Sequence, residues 1–129
     1  MATEPFFLDF NLIEDIHQAS LEAYGGLSGI RDRGLIESAL GAAINTFYYA
    51  NGDLFDIAAT YAFHLAQAQA FLDGNKRTGI GAALLFLRAN QITKMPQDEQ
   101  LYDAMIAIAE RRLDKAGLAA LFRAASIRP

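Results

Sequence analysis

Cysteine is absent from the 129 residues, which rules out disulfides, thiol nucleophiles and thiolate metal sites. Positive charge is scarce as well. Eleven Lys and Arg stand against 15 Asp and Glu, giving a net charge of −4 and a pI near 5.0, whereas general nucleic-acid binding needs a broad basic face. The first thirty residues hold no Lys or Arg and no long apolar run, unlike a secretion signal. The longest apolar run, around Ile80 to Leu87, falls far short of the ~20 residues a bilayer span needs. The expectations are therefore no direct nucleic-acid contact, no membrane association and a cytoplasmic location. Internal repeats, low-complexity tracts and linkers are also missing. With 53% hydrophobic and 20% charged content, the chain predicts one compact domain over 1–129 with a real core.

What is present is mostly helical periodicity. Phe6, Phe7 and Leu8 predict a short edge strand ahead of Asn11, which is placed to cap a helix with Glu14 in the reciprocal position. That helix runs to Tyr24, burying Leu12, Ile13, Ile16, Ala19 and Ala23, and Gly25-Gly26 stops it. His17 lies at the apolar edge with no partner nearby in sequence and receives no role. The glycine-rich stretch Gly25 to Arg31 lacks the spacing of a dinucleotide or Walker loop and reads as a connector. Asp32 caps a second helix with Leu35, Ile36, Ala39, Leu40, Ala43 and Ile44 inward. Ile44 to Asp53, INTFYYANGD, joins β-prone aromatics to an Asn-Gly turn and predicts an extended, hairpin-like flap. Beyond Pro96, Asp98 caps a helix bearing Leu101, Ala104, Met105 and Ile108. A last helix starts at Asp114 and packs through Leu118, Leu121 and Phe122.

The centre of the chain is Ala68 to Thr78, AQAFLDGNKRT, where turn formers and charges interrupt two apolar segments. Leu54 to Ala70 reads as one helix and Thr78 to Arg88 as a second, buried on nearly every face, with Asp73-Gly74-Asn75 as the corner between them. Lys76 and Arg77 fall in the first turn of that second helix, where its dipole disfavours cations. Free N–H groups, a glycine and two basic side chains together suit an anion, most naturally phosphate. The plainer alternative is that Asp73 neutralises one cation while both stems reach out to water.

The string AFLDGNKRTG resembles the Fic/Doc motif His-x-Phe-x-(Asp/Asn)-(Gly/Ala)-Asn-(Gly/Lys)-Arg, with Lys in the penultimate position as in death-on-curing (Doc) toxins. YGGLSGIRD at Tyr24 to Asp32, DLFDIAATY at Asp53 to Tyr61 and ALLFLRAN at Ala83 to Asn90 are similar to Doc in the same order, so the likeness covers nearly the whole chain. It implies an all-α single domain of about six helices around a central helix–loop–helix, with a short β flap over the site. In place of the motif histidine, two residues before Phe71, stands Gln69. An amide donates and accepts hydrogen bonds but has no proton-accepting state near neutral pH.

The resemblance also assigns roles. Asp73 would coordinate Mg²⁺ alongside the phosphates of ATP, Gly74 and Asn75 would form an anion cradle, and Lys76 and Arg77 would hold phosphate oxygens. The implied reaction is phosphorylation of a protein hydroxyl, the implied target elongation factor Tu, and the implied outcome arrested translation. The alternative is a silent nucleotide-binding module that keeps its protein partner. AMP transfer ranks third, because adenylyltransferases have glycine where Lys76 stands. Phe47, Tyr48 and Tyr49 would dock the target from the flap, with packing an equal account of them. The family's inhibitory Ser/Thr-x-x-x-Glu-(Gly/Asn) string is absent, so restraint is expected from a separate antitoxin folding as a helix in a groove. His64 would point about 140° away from Gln69 along the helix, with an axial offset of about 7.5 Å, and is not expected to replace the base.

Overall fold

The computed structural model describes residues 3–127. Six α-helices follow one another: α1 Phe10–Tyr24, α2 Arg33–Tyr48, α3 Leu54–Ala68, α4 Asn75–Ala89, α5 Asp98–Ala109 and α6 Lys115–Ser126. The all-α class and the central helix–loop–helix of the sequence reading are what the chain adopts. Of the two central helices it is α3, rather than α4, that is enclosed on nearly all sides. Ile57, Ala58, Ala59, Thr60, Tyr61, Ala62, Leu65 and Ala66 are all buried, because α2, α4, α5 and α6 each pack against this helix. Small residues let α4 approach closely: a Cβ on Gly79 would lie 2.7 Å from the Ala62 carbonyl oxygen. On its other side α4 meets α1, where Gly81 faces Ile16.

Most helix starts carry side-chain caps. Asp9, Asp32, Asp53 and Asp114 each accept a first-turn N–H, and Asp53 and Asp56 form a reciprocal capping box. Two expected caps are corrected: Asp9 rather than Asn11 opens α1, and Gln97 rather than Asp98 opens α5. The buried face of α1 is also rotated from the expectation. Ala19 and Ala23 are exposed, while His17 and Ser20 are buried beside Ile13. Ile44, expected inward, is 39% exposed.

Neither expected strand forms. Among the described residues the β pairing is limited to one isolated antiparallel bridge, Ile30 with Phe71. Phe6 is held instead by the Asn90 side chain, whose Oδ1 accepts the Phe6 N–H (2.8 Å) and whose Nδ2 donates to the Phe6 carbonyl (3.0 Å). The Leu8 N–H donates to the buried Tyr61 hydroxyl at 3.0 Å, and burial pushes that phenol up to about 12. The flap is corrected too, since α2 continues through Tyr48. Tertiary packing overrides the β preference there: Thr46 Oγ1 donates to the Ala42 carbonyl and meets Thr60 Oγ1 of α3 at 3.1 Å. The Asn-Gly turn is real but follows the helix, with Asn51 at φ 52° and the Gly52 N–H donating to the Thr46 carbonyl. No helix among the described residues is long and apolar enough to cross a membrane.

Candidate functional site

The corner between α3 and α4 spans Gln69 to Gly74, and several bonds fix its shape. Helix α3 ends at Ala68, two residues earlier than its periodicity suggests. Gln69 is its cap in the left-handed region (φ 56°, ψ 40°), with its side-chain amide donating to the Ala66 carbonyl at 3.3 Å. The connector after α1 lies alongside. The Arg31 and Asp32 N–H groups donate to the Ala70 carbonyl (2.7 and 3.0 Å), and the Leu72 N–H donates to the Gly29 carbonyl (3.1 Å). YGGLSGIRD is therefore more than a connector, because it buttresses the motif.

The Asn75 side chain has a task that the sequence reading did not give it. Its side chain is buried and turned back on Phe71, accepting the Phe71 N–H and donating to the Phe71 carbonyl, both at 3.0 Å. One amide thus satisfies both backbone polar groups of a buried residue. Asp73 is exposed, and its two oxygens are shared out: Oδ1 accepts the Gly74 N–H (2.9 Å) and Oδ2 the Leu27 N–H (3.2 Å). Gly26 permits that approach, since a Cβ there would fall 2.8 Å from Asp73 Oδ2. Gly74 takes the left-handed conformation (φ 76°) and starts α4 without a side-chain cap. Asn75, Lys76 and Arg77 supply the first N–H groups of the helix, which have no intrahelical carbonyl to meet. The Gly74 N–H, expected in the cradle, is already taken by Asp73.

These residues enclose one hollow. Gln69, Leu72, Asp73, Gly74, Asn75, Lys76, Arg77 and Tyr102 line a volume of about 310 Å³ at the start of α4. The helix start is open, and both cations border it. Arg77 also places its guanidinium 4.4 Å from the centre of the Tyr24 ring, so this cation stacks on an aromatic face. A second, more apolar hollow of about 340 Å³ shares the Arg77 and Tyr102 walls and runs between α1, α4 and α5 past Ile80, Leu84 and Leu101.

Not every predicted residue joins this site. Phe47 packs edge-on to Phe7 (centroids 6.1 Å apart), and Phe7 in turn stacks on Phe86. Phe86 lies eleven residues along α4 from Asn75, about 16 Å of helix. Tyr48 and Tyr49 flank that distant cluster, 50% and 84% exposed. The three aromatics stand at the far end of α4 from the hollow. His64 faces α6, its Nε2 3.3 Å from Lys115 Nζ, and burial followed by the Lys115 charge holds its pKa below the ordinary value. Gln69 lies outside the helix, so helical arithmetic does not relate the two, but that contact keeps His64 away from the corner.

A Mg²⁺ ion would find a limited donor set here. Among the described residues no three His, Cys, Asp or Glu side chains cluster. Asp73 keeps unused lone pairs on both carboxylate oxygens. That fits an ion held by one carboxylate together with phosphates and water, the usual manner for Mg²⁺.

Sequence reasoning missed His17. It is 5% exposed, stacks on Phe71 with ring centres 3.8 Å apart and planes 11° apart, and contacts the Asp73 carbonyl oxygen through Nε2 at 2.8 Å. The available signal was its spacing, four residues after Ile13 and three before Ser20.

Residues 7–87 match the family model described as the Fic/DOC family. The chain is 35% identical over 109 residues to "Protein kinase doc" of Escherichia phage P1, covering 84% of this chain and 86% of the relative. It is also 35% identical over 111 residues to "Toxin Doc" of Mycolicibacterium smegmatis, covering 83% and 85%.

Proposed function

The chain belongs to the Fic/DOC family, and from that premise we propose that it is a Doc-type toxin, a transferase that moves the γ-phosphoryl group of ATP to a protein hydroxyl. Elongation factor Tu is the proposed target and arrested translation the consequence. The observation that carries this reading is the single hollow at the start of α4, bordered by Gln69, Asp73, Lys76 and Arg77. Two relatives whose names are a protein kinase and a toxin support it.

The chemistry follows from the side chains. Lys76 offers a point charge and Arg77 a planar fork to phosphate oxygens, while the unbonded N–H groups of the first helical turn add partial positive charge. Asp73 would hold Mg²⁺, which when bound neutralises charge on the phosphates. The acceptor hydroxyl oxygen bonds to the γ-phosphorus as the bond to the β-bridging oxygen breaks and ADP leaves. Gln69 orients that hydroxyl without taking its proton, which passes to water or a phosphoryl oxygen. Losing a general base costs roughly 10²- to 10⁴-fold, yet phosphoryl transfer rests chiefly on positioning and charge stabilisation, so a slow enzyme is consistent with this site.

One observation favours the second reading, a silent nucleotide-binding module: the Gln69 amide is bonded back to Ala66. AMP transfer is disfavoured, because the Lys76 side chain occupies room that glycine leaves open in adenylyltransferases. Restraint falls to a separate antitoxin, for which the apolar hollow between α1, α4 and α5 is the proposed seat. Such a module works in the cytoplasm. Calorimetric titration of Mg-ATP into native and Lys76→Ala/Arg77→Ala protein tests the anion cradle, and unchanged affinity removes it. Labelled γ-phosphate appearing on elongation factor Tu with native protein separates the toxin kinase from the silent module.

A further inference from the structure

We infer that His17 is a positioning residue that holds the Asp73–Gly74 peptide in the one orientation that leaves the α4 start open to an anion. The part of this inference that concerns nucleotide rests on the reading above; the part that concerns the peptide does not. A carbonyl oxygen only accepts, so the 2.8 Å contact means His17 Nε2 carries a proton and donates it to the Asp73 carbonyl. The other end of the same peptide, the Gly74 N–H, is bonded to Asp73 Oδ1. Both ends are clamped, and the imidazole is itself fixed by stacking on Phe71.

Orientation matters because of what lies on either side. His17 does not line the hollow at the start of α4, so the carbonyl it binds is drawn to the α1 side of the loop. Rotating this peptide would turn an oxygen dipole away from His17, and Asp73-Gly74 is a sequence that permits rotation, since glycine populates both signs of φ. A rotated N–H has an acceptor within reach. Ser20 Oγ is buried without a hydrogen-bond partner among the described residues and lies 3.5 Å from where a Gly74 Cβ would stand. The bond from His17 is what selects the observed arrangement. The Asn75 side chain, which shapes the preceding turn, directs its hydrogen bonds to Phe71 and not to this peptide.

Three proteins test the inference: native, His17→Phe, which keeps a ring against Phe71 but loses the donor, and His17→Gln, which restores an N–H near the Nε2 position. The first readout is the Gly74 amide resonance and its hydrogen exchange in labelled protein. The expected result is a shifted or doubled Gly74 resonance with about tenfold faster exchange in His17→Phe, and a near-native one in His17→Gln. A Gly74 amide identical in native and His17→Phe protein overturns the inference. The second readout is Mg-ATP affinity, expected to weaken about tenfold in His17→Phe and to recover in His17→Gln. If no form binds Mg-ATP while Gly74 still responds to loss of the donor, the nucleotide reading fails and the positioning role stands. Should the phenyl ring prevent folding, His17→Leu replaces it with the same two outcomes.

Discussion

Replacing Asn75 with alanine separates two roles that the motif alone does not distinguish. A residue that only contacts phosphate can be truncated with little change in stability, whereas one that closes the loop cannot. The Asn75 side chain is 7% exposed and satisfies the N–H and C=O of Phe71, itself 3% exposed, at 3.0 Å each. Truncation leaves a buried donor and a buried acceptor unpaired, at about 1–1.5 kcal/mol apiece, or about 2–3 kcal/mol together. Against a total of about 5–15 kcal/mol this is a large fraction. Equilibrium unfolding in urea, followed by circular dichroism, should show a lower midpoint at unchanged slope, with a melting temperature about 6–12 °C lower for a chain of this size. Asn75→Asp should lose more than Asn75→Ala near neutral pH, because it keeps the acceptor for the Phe71 N–H but sets a buried charge against the Phe71 carbonyl. A loss below about 0.5 kcal/mol in Asn75→Ala, within the range of ordinary surface changes, accompanied by weaker Mg-ATP binding, would refute the loop-closing role and return Asn75 to the phosphate cradle.

Gln69→His is expected to raise phosphate transfer about 10²- to 10⁴-fold in single-turnover assays with labelled ATP; equal rates would mean that proton removal does not limit this protein. Gly79→Ala places a methyl 2.7 Å from the Ala62 carbonyl oxygen and should cost about 1–3 kcal/mol in a thermal melt as α3 and α4 separate. An unaltered melt would deny the close approach of those helices. His64 has its folded pKa lowered from 6.5, by burial first and the Lys115 charge second. Its neutral form is thus favoured by folding, and that contribution is full above about pH 6.5 and is lost as pH falls through the lower folded value. His64→Leu should flatten this part of the stability profile, read from urea midpoints on both sides of that pH, and leave phosphate transfer as it is.

The helices were legible wherever one face repeats apolar residues and a short polar side chain precedes it. Leu54 to Leu65 after Asp53, and Leu118 to Phe122 after Asp114, needed nothing from elsewhere in the chain. Asp9 lost to Asn11 in the reading because both are good caps two residues apart, and propensity does not choose between them. Ile44 to Tyr48 failed for the opposite reason: the local preference is β, and contacts from elsewhere in the chain, Thr46 with Thr60, Phe47 with Phe7 and α2 with α3, accompany the helix instead. At the site, the motif located the corner and the hollow but not its supports. Asn75 looks like a cap, and no periodicity reveals that it turns back on Phe71. His17 and Leu27 reach Asp73 across more than forty residues of sequence, a distance over which composition and spacing carry no information.

Those supports bear on what Gln69 means for the proposed chemistry. The loop from Phe71 to Asn75 is held by Asn75, by His17, by the Asp73 carboxylate and by the strand-like contact with Gly29 to Asp32. None of these bonds involves the Gln69 side chain, whose hydrogen bond goes to Ala66 at the end of α3. On the proposed reading, an exchange between histidine and glutamine at this position therefore alters the proton step and breaks none of the bonds that hold the loop. Binding and chemistry become separable: a slow kinase and a silent module built on this loop predict the same affinity for Mg-ATP and differ only in whether phosphate moves. On the proposed reading, a fold that lacks its base but not its hollow would keep a nucleotide, and a protein partner seated between α1, α4 and α5, with catalysis given up.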